Sequence, residues 1–301
     1  MNQFSIRDIE KLTGIKAHTL RIWEQRYQYD FSKRKEGGHR YYDGEDLKKL
    51  LRLAFLYKRG HKISSLLELE QEQLVAYCLP EFNTDRHQES FRQLLAAVAS
   101  FDQETFNQVF HLLVLRIGMQ KTMLEIIFPL LNLIGSKWLC DRAIPAQEHF
   151  CSELVMKKLL LAIDGLEMEY AENARTVLLF TPAGEFHEIP VLFMQYLLKK
   201  NGSKCIYYGK NAGIQSLKDI CEVHNPTHLY FHLITHLDDC PLSHYLQELI
   251  NNFPGKKIIA AGPALEKQLL PSDPSFTWLK DTEQMLQFSN ADPVNSWAQH
   301  Y

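Results

Sequence analysis

The 301-residue sequence has no C-x-x-C pair among its six cysteines, and this absence argues against a zinc framework. Because the cysteines are scattered singly, we expect reduced, mostly buried thiols rather than disulfides. No apolar run approaches bilayer-spanning length, and the first residues, MNQFSIRDIEK, contain no apolar signal core. These absences predict a cytoplasmic protein with no membrane partner. At 46% hydrophobic residues, the chain is long enough for two or three domains.

Charge is segregated along the chain. Residues 1–62 carry 15 Lys and Arg against 8 Asp and Glu, a net of +7, whereas the remaining residues carry 18 against 28, a net of −10. A small basic segment on an acidic body is typical of a nucleic-acid-binding head on a regulatory body. A solvated basic face is the alternative interpretation of the same charges.

The order of residues in the basic segment favours DNA binding. A break at Thr13-Gly14 separates two amphipathic runs, 6–12 and 18–27, as in a helix-turn-helix. We assign an apolar set of the second run to the core: Leu20, Ile22 and Trp23. A polar set is assigned to its outer face: Lys16, His18, Thr19, Arg21, Glu24, Gln25 and Arg26. A Gly-Gly turn at 37–38 predicts a two-stranded wing, and a third helix follows from 43–46.

These motifs resemble the winged-helix head of MerR-type transcriptional regulators. The resemblance rests on residues 6–14, on TLRIWEQRY at 19–27 and on GGHRYY at 37–42, and covers about the first 70 residues. It implies a double-stranded DNA operator as partner and a homo-oligomer, dimer or tetramer. The proline usual between helix and wing is absent. The candidate DNA-binding residues are Lys16, His18, Thr19, Arg21, Arg26, Tyr27, Arg40 and Tyr42.

Residues 86–170 follow the helical period in four runs, which predicts an up-and-down four-helix bundle. We expect Trp138 near the end of the third helix to meet Glu148 and His149 in the first turn of the fourth. The spacing Trp-x9-Glu-His resembles the helical cap of cobalamin-binding regulators, the light-sensing carotenogenesis repressor subgroup. That resemblance places these three residues over the upper face of a corrin. Leu139 stands where light-sensing members carry His, which argues against light sensing.

From Thr176 the pattern changes to alternating strands and helices. Candidate strands are 177–180, 204–208, 228–234, 257–261 and 276–280, and candidate helices are 189–201, 214–224, 241–252 and 265–269. Such units predict a doubly wound, flavodoxin-like parallel sheet of five strands. The whole chain is thus a multidomain α plus α/β protein. We predict a head at 1–75, a bundle at 80–170 and a Rossmann-like domain at 172–301.

The loop TPAGEFHEIP at 181–190 places His187 at the carboxyl end of the first strand, where open α/β sheets bind ligands. It resembles the cobalamin-binding fingerprint Asp/Glu-x-His-x-x-Gly, with Pro190 at the Gly position. The resemblance implies adenosylcobalamin or methylcobalamin as cofactor. It also makes His187 the cobalt ligand and Glu185 its acidic partner.

Two later parts of the fingerprint keep their spacing but not their side chains. His232-Leu233-Ile234 stands for Ser-x-Leu, and Ala261-Gly262 stands for Gly-Gly. The resemblance places His232 and Gly262 beside the nucleotide tail of the cofactor, where added volume competes with the ligand. Two hypotheses for the function therefore remain. In the first, the regulator holds cobalamin between bundle and sheet; in the second, its sensor domain is degenerate and is controlled by a partner protein or another ligand.

Two further alternatives remain open at this point. A small metal site is conceivable after the third strand, at His232, His236, Asp238 and Asp239. The chain could also be the cobalamin carrier module of an enzyme such as a methyltransferase. The basic head and the lack of a domain for substrate chemistry argue against that enzyme class.

Overall fold

The computed structural model describes residues 3–34, 40–58, 60–70, 73–74, 77, 87–139, 144–167, 170, 174–235, 237, 241–266 and 268–290. Contacts divide the chain into two compact units, 1–154 and 155–301. The division falls inside the helix Pro145–Asp164. The predicted boundary at 75–80 falls partly on residues outside those described, so the three-domain division stays a prediction.

The head begins as the sequence predicts. Helix α1 (Ile6–Thr13) starts with a capping box between Ser5 and Asp8 and ends at Gly14, whose φ of 68° suits glycine. The other elements are α2 (Ala17–Tyr27), β1 (Lys33–Arg34), β2 (Arg40–Tyr41), α3 (Gly44–Lys58) and α4 (Ile63–Leu67). The antiparallel pair β1–β2 is the predicted wing. Its Gly37-Gly38 turn and His39 lie outside the described residues.

Helix α2 is turned relative to the expectation. Leu20 and Trp23 are buried as predicted, but Ile22 is 53% exposed and Glu24 is 8% exposed. The assignment of Ile22 to the core and of Glu24 to the outer face was therefore wrong. The physical reason is the helical advance of 100° per residue, which puts Glu24 four residues after Leu20 on the same face.

The bundle consists of four helical segments in the described residues. These are α5 (Gln88–Ala99), α6 (Gln103–Lys121) with a π-helical continuation (Thr122–Ile127), α7 (Phe128–Leu139) and α8 (Pro145–Asp164). Gly118 interrupts α6 with a φ of 80° and a ψ of 159°. The predicted four-helix bundle is confirmed in its helical segments.

The run Gln103–Ser136 corrects the expectation that no segment approaches membrane-spanning length. By length and composition it could cross a bilayer, and 44% of its most apolar window is buried inside the structure. Core helices of bundles meet the same criterion, and this run is bent at Gly118. Its apolar residues include Met123, Ile126 and Ile127, which are fully buried. The run therefore belongs to the packing of the bundle.

The second unit contains the predicted parallel sheet. Its strands are β3 (Thr176–Pro182), β4 (Lys204–Ala212), β5 (His228–His232), β6 (Lys257–Ala261) and β7 (Phe276–Leu279), in the spatial order β4-β3-β5-β6-β7. This order is the flavodoxin-like one, with the switch of direction between β3 and β5. The pairing of β3 with β4 shifts register after Leu179 and again after Phe180.

Helices cover both faces of the sheet, as a doubly wound fold requires. They are α9 (Ile189–Lys200), α10 (Ile214–His224), α11 (Leu242–Asn252) and α12 (Thr282–Ser289). One apolar cluster joins the sheet to α10 and α11, and another joins it to α9 and α12. The predicted helix at 265–269 was wrong: the chain forms only a 3₁₀ turn, Pro263–Leu265, because Glu266 has extended backbone angles, a φ of −60° and a ψ of 140°.

Candidate functional site

The loop after β3 is folded by its own side chains. The hydroxyl of buried Thr181 donates to the carbonyl of Glu185 at 2.6 Å, and the amide of Glu185 donates to the carbonyl of Pro182 at 3.0 Å. Asn211 on β4 donates its amide to the Thr181 hydroxyl at 3.0 Å and accepts from the Gly184 amide at 2.9 Å. The turn is therefore held to the neighbouring strand.

Glu185 has no exposed surface, and its two carboxylate oxygens serve two different loops. Oε1 accepts from the amides of Phe186 (2.8 Å) and His187 (2.9 Å) and contacts His187 Nδ1 at 2.5 Å. Oε2 accepts from the amides of Ile234 (2.8 Å) and Thr235 (2.9 Å) and from the Thr235 hydroxyl (3.1 Å). Burial alone would raise the pKa of Glu185, but the bonds from His187 and Thr235 outweigh it and lower the pKa to about 2.

His187 lies at the carboxyl edge of the sheet, with 51% of its side chain exposed. The contact between Nδ1 and the Glu185 carboxylate fixes the ring orientation and leaves Nε2 as the nitrogen that points away from Glu185. Histidine ligands of metals are oriented in this way by a carboxylate behind them. Pro190, the departure from the fingerprint, lies in the first turn of α9, a position where proline is well tolerated.

His232 closes the end of β5. Its ring is 8% exposed, and its Nδ1 lies 3.3 Å from the Tyr230 hydroxyl. Burial lowers the pKa of His232 to about 4, although the nearby charge of Glu185 acts in the opposite direction. A Cβ added at Gly262 would lie 2.1 Å from the carbonyl oxygen of Leu233 and 2.9 Å from His232 Cδ2. The ends of β5 and β6 are thus in close contact at this point.

The fit of a corrinoid to this unit depends on two features, the ligand for cobalt and the packing around Gly262. The donor set fits, because an exposed imidazole with a buried carboxylate behind it is a suitable nitrogen ligand for cobalt. At the position where the resemblance places the nucleotide tail, the His232 ring and the Leu233 carbonyl pack closely against Gly262.

The structure describes the positions of only some of the candidate side chains in the bundle. Trp138 lies in α7 and Glu148 in the first turn of α8, as predicted. The side chains of Trp138 and Leu139 lie outside what the structure describes. Glu148 and His149 are exposed, and Glu148 accepts a hydrogen bond from the Ser152 hydroxyl at 2.6 Å. Their contact with a cofactor stays a prediction.

In the head, most of the DNA-binding candidates lie at the surface. Tyr27 and Thr19 are half-buried, and Lys16 forms an ion pair with Glu10 at 3.0 Å. Tyr42 has no exposed surface and packs in the core of the head, so its assignment as a DNA contact is corrected to a structural one. The exposed candidates are Lys16, His18, Arg21, Arg26 and Arg40.

An ion pair joins α2 to the wing. Arg40 Nη1 lies 2.7 Å from Glu24 Oε2, and the Ser32 hydroxyl donates to the other oxygen at 3.4 Å. The Glu24 side chain is 7% exposed and that of Arg40 is 39% exposed. Arg40 therefore stabilises the contact between α2 and the wing, and part of its side chain remains exposed at the surface of the head.

Among the described residues, no group of three His, Cys, Asp or Glu is arranged to hold a metal ion. His236, Asp238 and Asp239 lie outside the described part of the chain. His232 is buried beside Tyr230.

Two residues of the site were missed from the sequence. Thr235, three residues after β5, and Asn211, on β4, hydrogen-bond to the loop at separations of 50 and 30 residues from their partners. Their position just after or at the end of predicted strands was the available signal, because such positions converge on one edge of a parallel sheet.

Comparison with known families places the first two parts of the chain. Residues 4–73 match the MerR HTH family regulatory protein, and residues 90–162 match a B12 binding domain. Two curated repressors from Myxococcus xanthus are similar over most of their length. The HTH-type transcriptional repressor CarH is 25% identical over 221 residues, covering 71% of this chain and 73% of CarH. The HTH-type transcriptional repressor CarA is 27% identical over 223 residues, covering 72% and 71%.

A solved structure supports the fold of the remainder. The monomethylamine corrinoid protein of Methanosarcina barkeri superposes with a TM-score of 0.54 at 12% identity, covering 68% of this chain and 99% of that one. At this identity the likeness concerns the fold alone. The head of the chain is therefore similar to MerR HTH family regulatory proteins, the bundle behind it is similar to a B12 binding domain, and the two together resemble the repressors above.

Proposed function

We propose that the protein is a cytoplasmic transcriptional regulator that binds a double-stranded DNA operator through its head and a cobalamin-type ligand through its C-terminal part. The observation that carries the ligand proposal is the Glu185–His187 pair, in which a buried carboxylate orients an exposed imidazole. When bound, cobalamin would supply a cobalt atom that accepts a nitrogen ligand. Trp138, Glu148 and His149 are proposed as further contacts by their match to the family positions.

On the DNA side, the proposed contacts are the exposed basic residues of α2 and the wing. Arg21 and Arg26 lie on α2 and Arg40 on β2, where long cationic side chains can reach phosphates and base edges. We further propose a homo-oligomer on DNA, in which ligand binding changes the spacing of the heads.

The proposal that the protein binds cobalamin is tested by the absorption spectrum of the desalted protein. Purified protein is mixed with adenosylcobalamin or methylcobalamin, desalted, and examined for a retained corrin spectrum. We expect retention by the wild type and a loss in affinity of about tenfold or more in His187→Ala, because a positioned metal ligand is removed. His224→Ala, which removes an exposed histidine at the end of α10, should retain the spectrum. A colourless wild type after desalting contradicts the proposal.

A second candidate is favoured by the packing around Gly262. A regulator with the same head could use this domain without cobalamin, under control of a partner protein or another ligand, and the close packing of His232 near Gly262 supports this candidate. His232→Ser separates the two. If only the variant retains the corrin, the wild-type slot is closed and the second candidate stands.

Substitution of Arg40 has two effects that need separation. Arg40→Ala should raise the Kd for a duplex from the protein's own promoter about tenfold through a lost phosphate or base contact. It should also lower the melting temperature, because the buried Glu24 carboxylate loses its partner. The double variant Glu24→Gln, Arg40→Gln should recover the melting temperature but not the affinity.

Fluorescence anisotropy at several salt concentrations measures the DNA contact. For a phosphate contact, the slope of log K against log salt should fall by about one in both variants. If the double variant regains wild-type affinity, Arg40 acts only by holding the wing.

A further inference from the structure

Ile22 is an exposed aliphatic side chain in the middle of the outer face of α2. At 100° per residue, Ile22 lies opposite Leu20, which is fully buried. The outer face that surrounds it is formed by the exposed residues His18, Arg21, Gln25 and Arg26. Ile22 is 53% exposed and is not a member of the apolar cluster that forms the core of the head.

The charges around Ile22 restrict what can cover it. Arg21 and Arg26 are exposed on either side, while the acidic residue of the helix, Glu24, is turned inward and paired with Arg40. The outer face of α2 is therefore positive or neutral around one apolar side chain. This combination is complementary to a DNA major groove, which offers phosphates at its borders and the 5-methyl group of thymine as its apolar feature.

We propose that Ile22 is a specificity-determining residue that packs against a thymine 5-methyl group in the operator. The proposal rests on the proposed DNA-binding function and adds to it the base that this position reads. Arg21 and Arg26 hold the helix to the backbone, and Ile22 discriminates between thymine and bases without the methyl group. A protein partner is disfavoured, because a single isoleucine among cations presents little apolar area for one.

The test uses full-length protein and a randomised DNA duplex pool. Wild-type protein is used to select a preferred sequence, and each thymine of that sequence is then replaced by uracil, which lacks only the methyl group. We expect one or two replacements in each half-site to weaken wild-type binding about three- to tenfold, the range for loss of a buried methyl contact. Ile22→Ala should bind the thymine and uracil duplexes equally at those positions.

Leu12→Ala is the matched control, since Leu12 is 52% exposed on α1, outside the recognition helix. It should keep the wild-type response to uracil. Circular dichroism and melting temperature of Ile22→Ala should equal those of the wild type, because the side chain is outside the core.

The outcomes distinguish the inference from the function on which it rests. A wild type that selects no sequence contradicts DNA-specific binding itself. In a second outcome, the wild type selects a sequence, but replacement of thymine by uracil lowers the affinities of the wild type and of Ile22→Ala by the same factor. That result overturns the assignment of Ile22 and leaves DNA binding intact. An equal loss of affinity for all sequences in Ile22→Ala overturns it as well, since that result describes a non-specific contact or a protein interface.

Discussion

Replacement of Glu185 by alanine is expected to lower the free energy of unfolding by about 3–5 kcal/mol, the cost of removing one partner from a buried, charged hydrogen-bond network. The substitution removes acceptors from four backbone amides and from the side chains of His187 and Thr235. Both loops at the edge of the sheet lose their common anchor. Urea unfolding gives the energy, and hydrogen exchange at the amides of 186, 187, 234 and 235 shows where protection is lost.

Glu188→Gln is the matched control for this experiment. Glu188 is near Glu185 in the chain, but it is half-buried and accepts a hydrogen bond from the Tyr207 hydroxyl at 2.9 Å. Gln can still accept that bond and loses only the ion pair with the exposed Lys210 (3.1 Å), so we expect a change of less than about 1 kcal/mol. If Glu185→Ala costs no more than the control, Glu185 does not hold the two loops together.

Acidification should reproduce part of the Glu185 effect. The folded pKa of Glu185 is about 2, below the ordinary value of 4.5. A lowered pKa means that the carboxylate stabilises the fold fully above pH 4.5 and that this contribution is lost as the pH falls towards 2. Wild-type stability should therefore decline in this window by about 3 kcal/mol more than that of Glu185→Ala.

The second large effect is expected at His232, between pH 6.5 and 4. Its folded pKa is about 4 against an ordinary 6.5, because the ring is buried. The neutral ring therefore contributes stability that is fully present above pH 6.5 and is lost as the pH falls through 4. The difference corresponds to about 3 kcal/mol over this window. The groups that face the ring are Tyr230, Glu185 and His187.

The variant His232→Asn removes this titration and keeps an acceptor for the Tyr230 hydroxyl. We expect its melting temperature to change much less between pH 7 and pH 4.5 than that of the wild type. His244→Asn, which replaces an exposed histidine of α11, should follow the wild type. Identical pH profiles for the wild type and His232→Asn would show that the ring is already protonated or reaches solvent.

The sheet could be predicted from the sequence because its strands are short apolar runs between polar helices. The strand Lys257–Ala261 and the helix Ile214–His224 have the predicted bounds, and β3 extends the predicted run at both ends. The local pattern of apolar residues was enough to predict these elements, since a short apolar run is buried most readily as a strand between two layers of helices. The predicted helix at 265–269 is wrong for a local reason as well: the backbone is extended at Glu266, with a φ of −60° and a ψ of 140°, so the turn ends after three residues.

The outer face of α2 was predicted less well. Residue type suggested Ile22 for the core and Glu24 for the surface, and the helical period places them the other way round. A buried carboxylate is acceptable here only because Arg40 comes from β2 to pair with it. That partner is 16 residues away, so residue type at Glu24 alone did not indicate its burial.

In the candidate site, too, some contacts could be predicted from the sequence and others depend on the fold. The proximity of Glu185 and His187 followed from their spacing of two residues, and the structure confirms their contact. The second half of the Glu185 network depends on Thr235, which reaches it through the neighbouring strand order. At Gly262 the end of β5 leaves no room for a side chain, because an added Cβ would lie 2.1 Å from the Leu233 carbonyl oxygen. Spacing in sequence does not define an approach this close.

The irregular pairing of β4 with β3 bears on aggregation. In the described sheet β4 is an edge strand, and a regular edge of nine residues would offer its unpaired amides and carbonyls to another chain. The two register shifts and the exposed Lys210 disrupt that row of groups, and the opposite edge, β7, has only four residues. Strand addition at either edge is therefore disfavoured, and we expect the protein to resist edge-to-edge association of its sheets at high concentration.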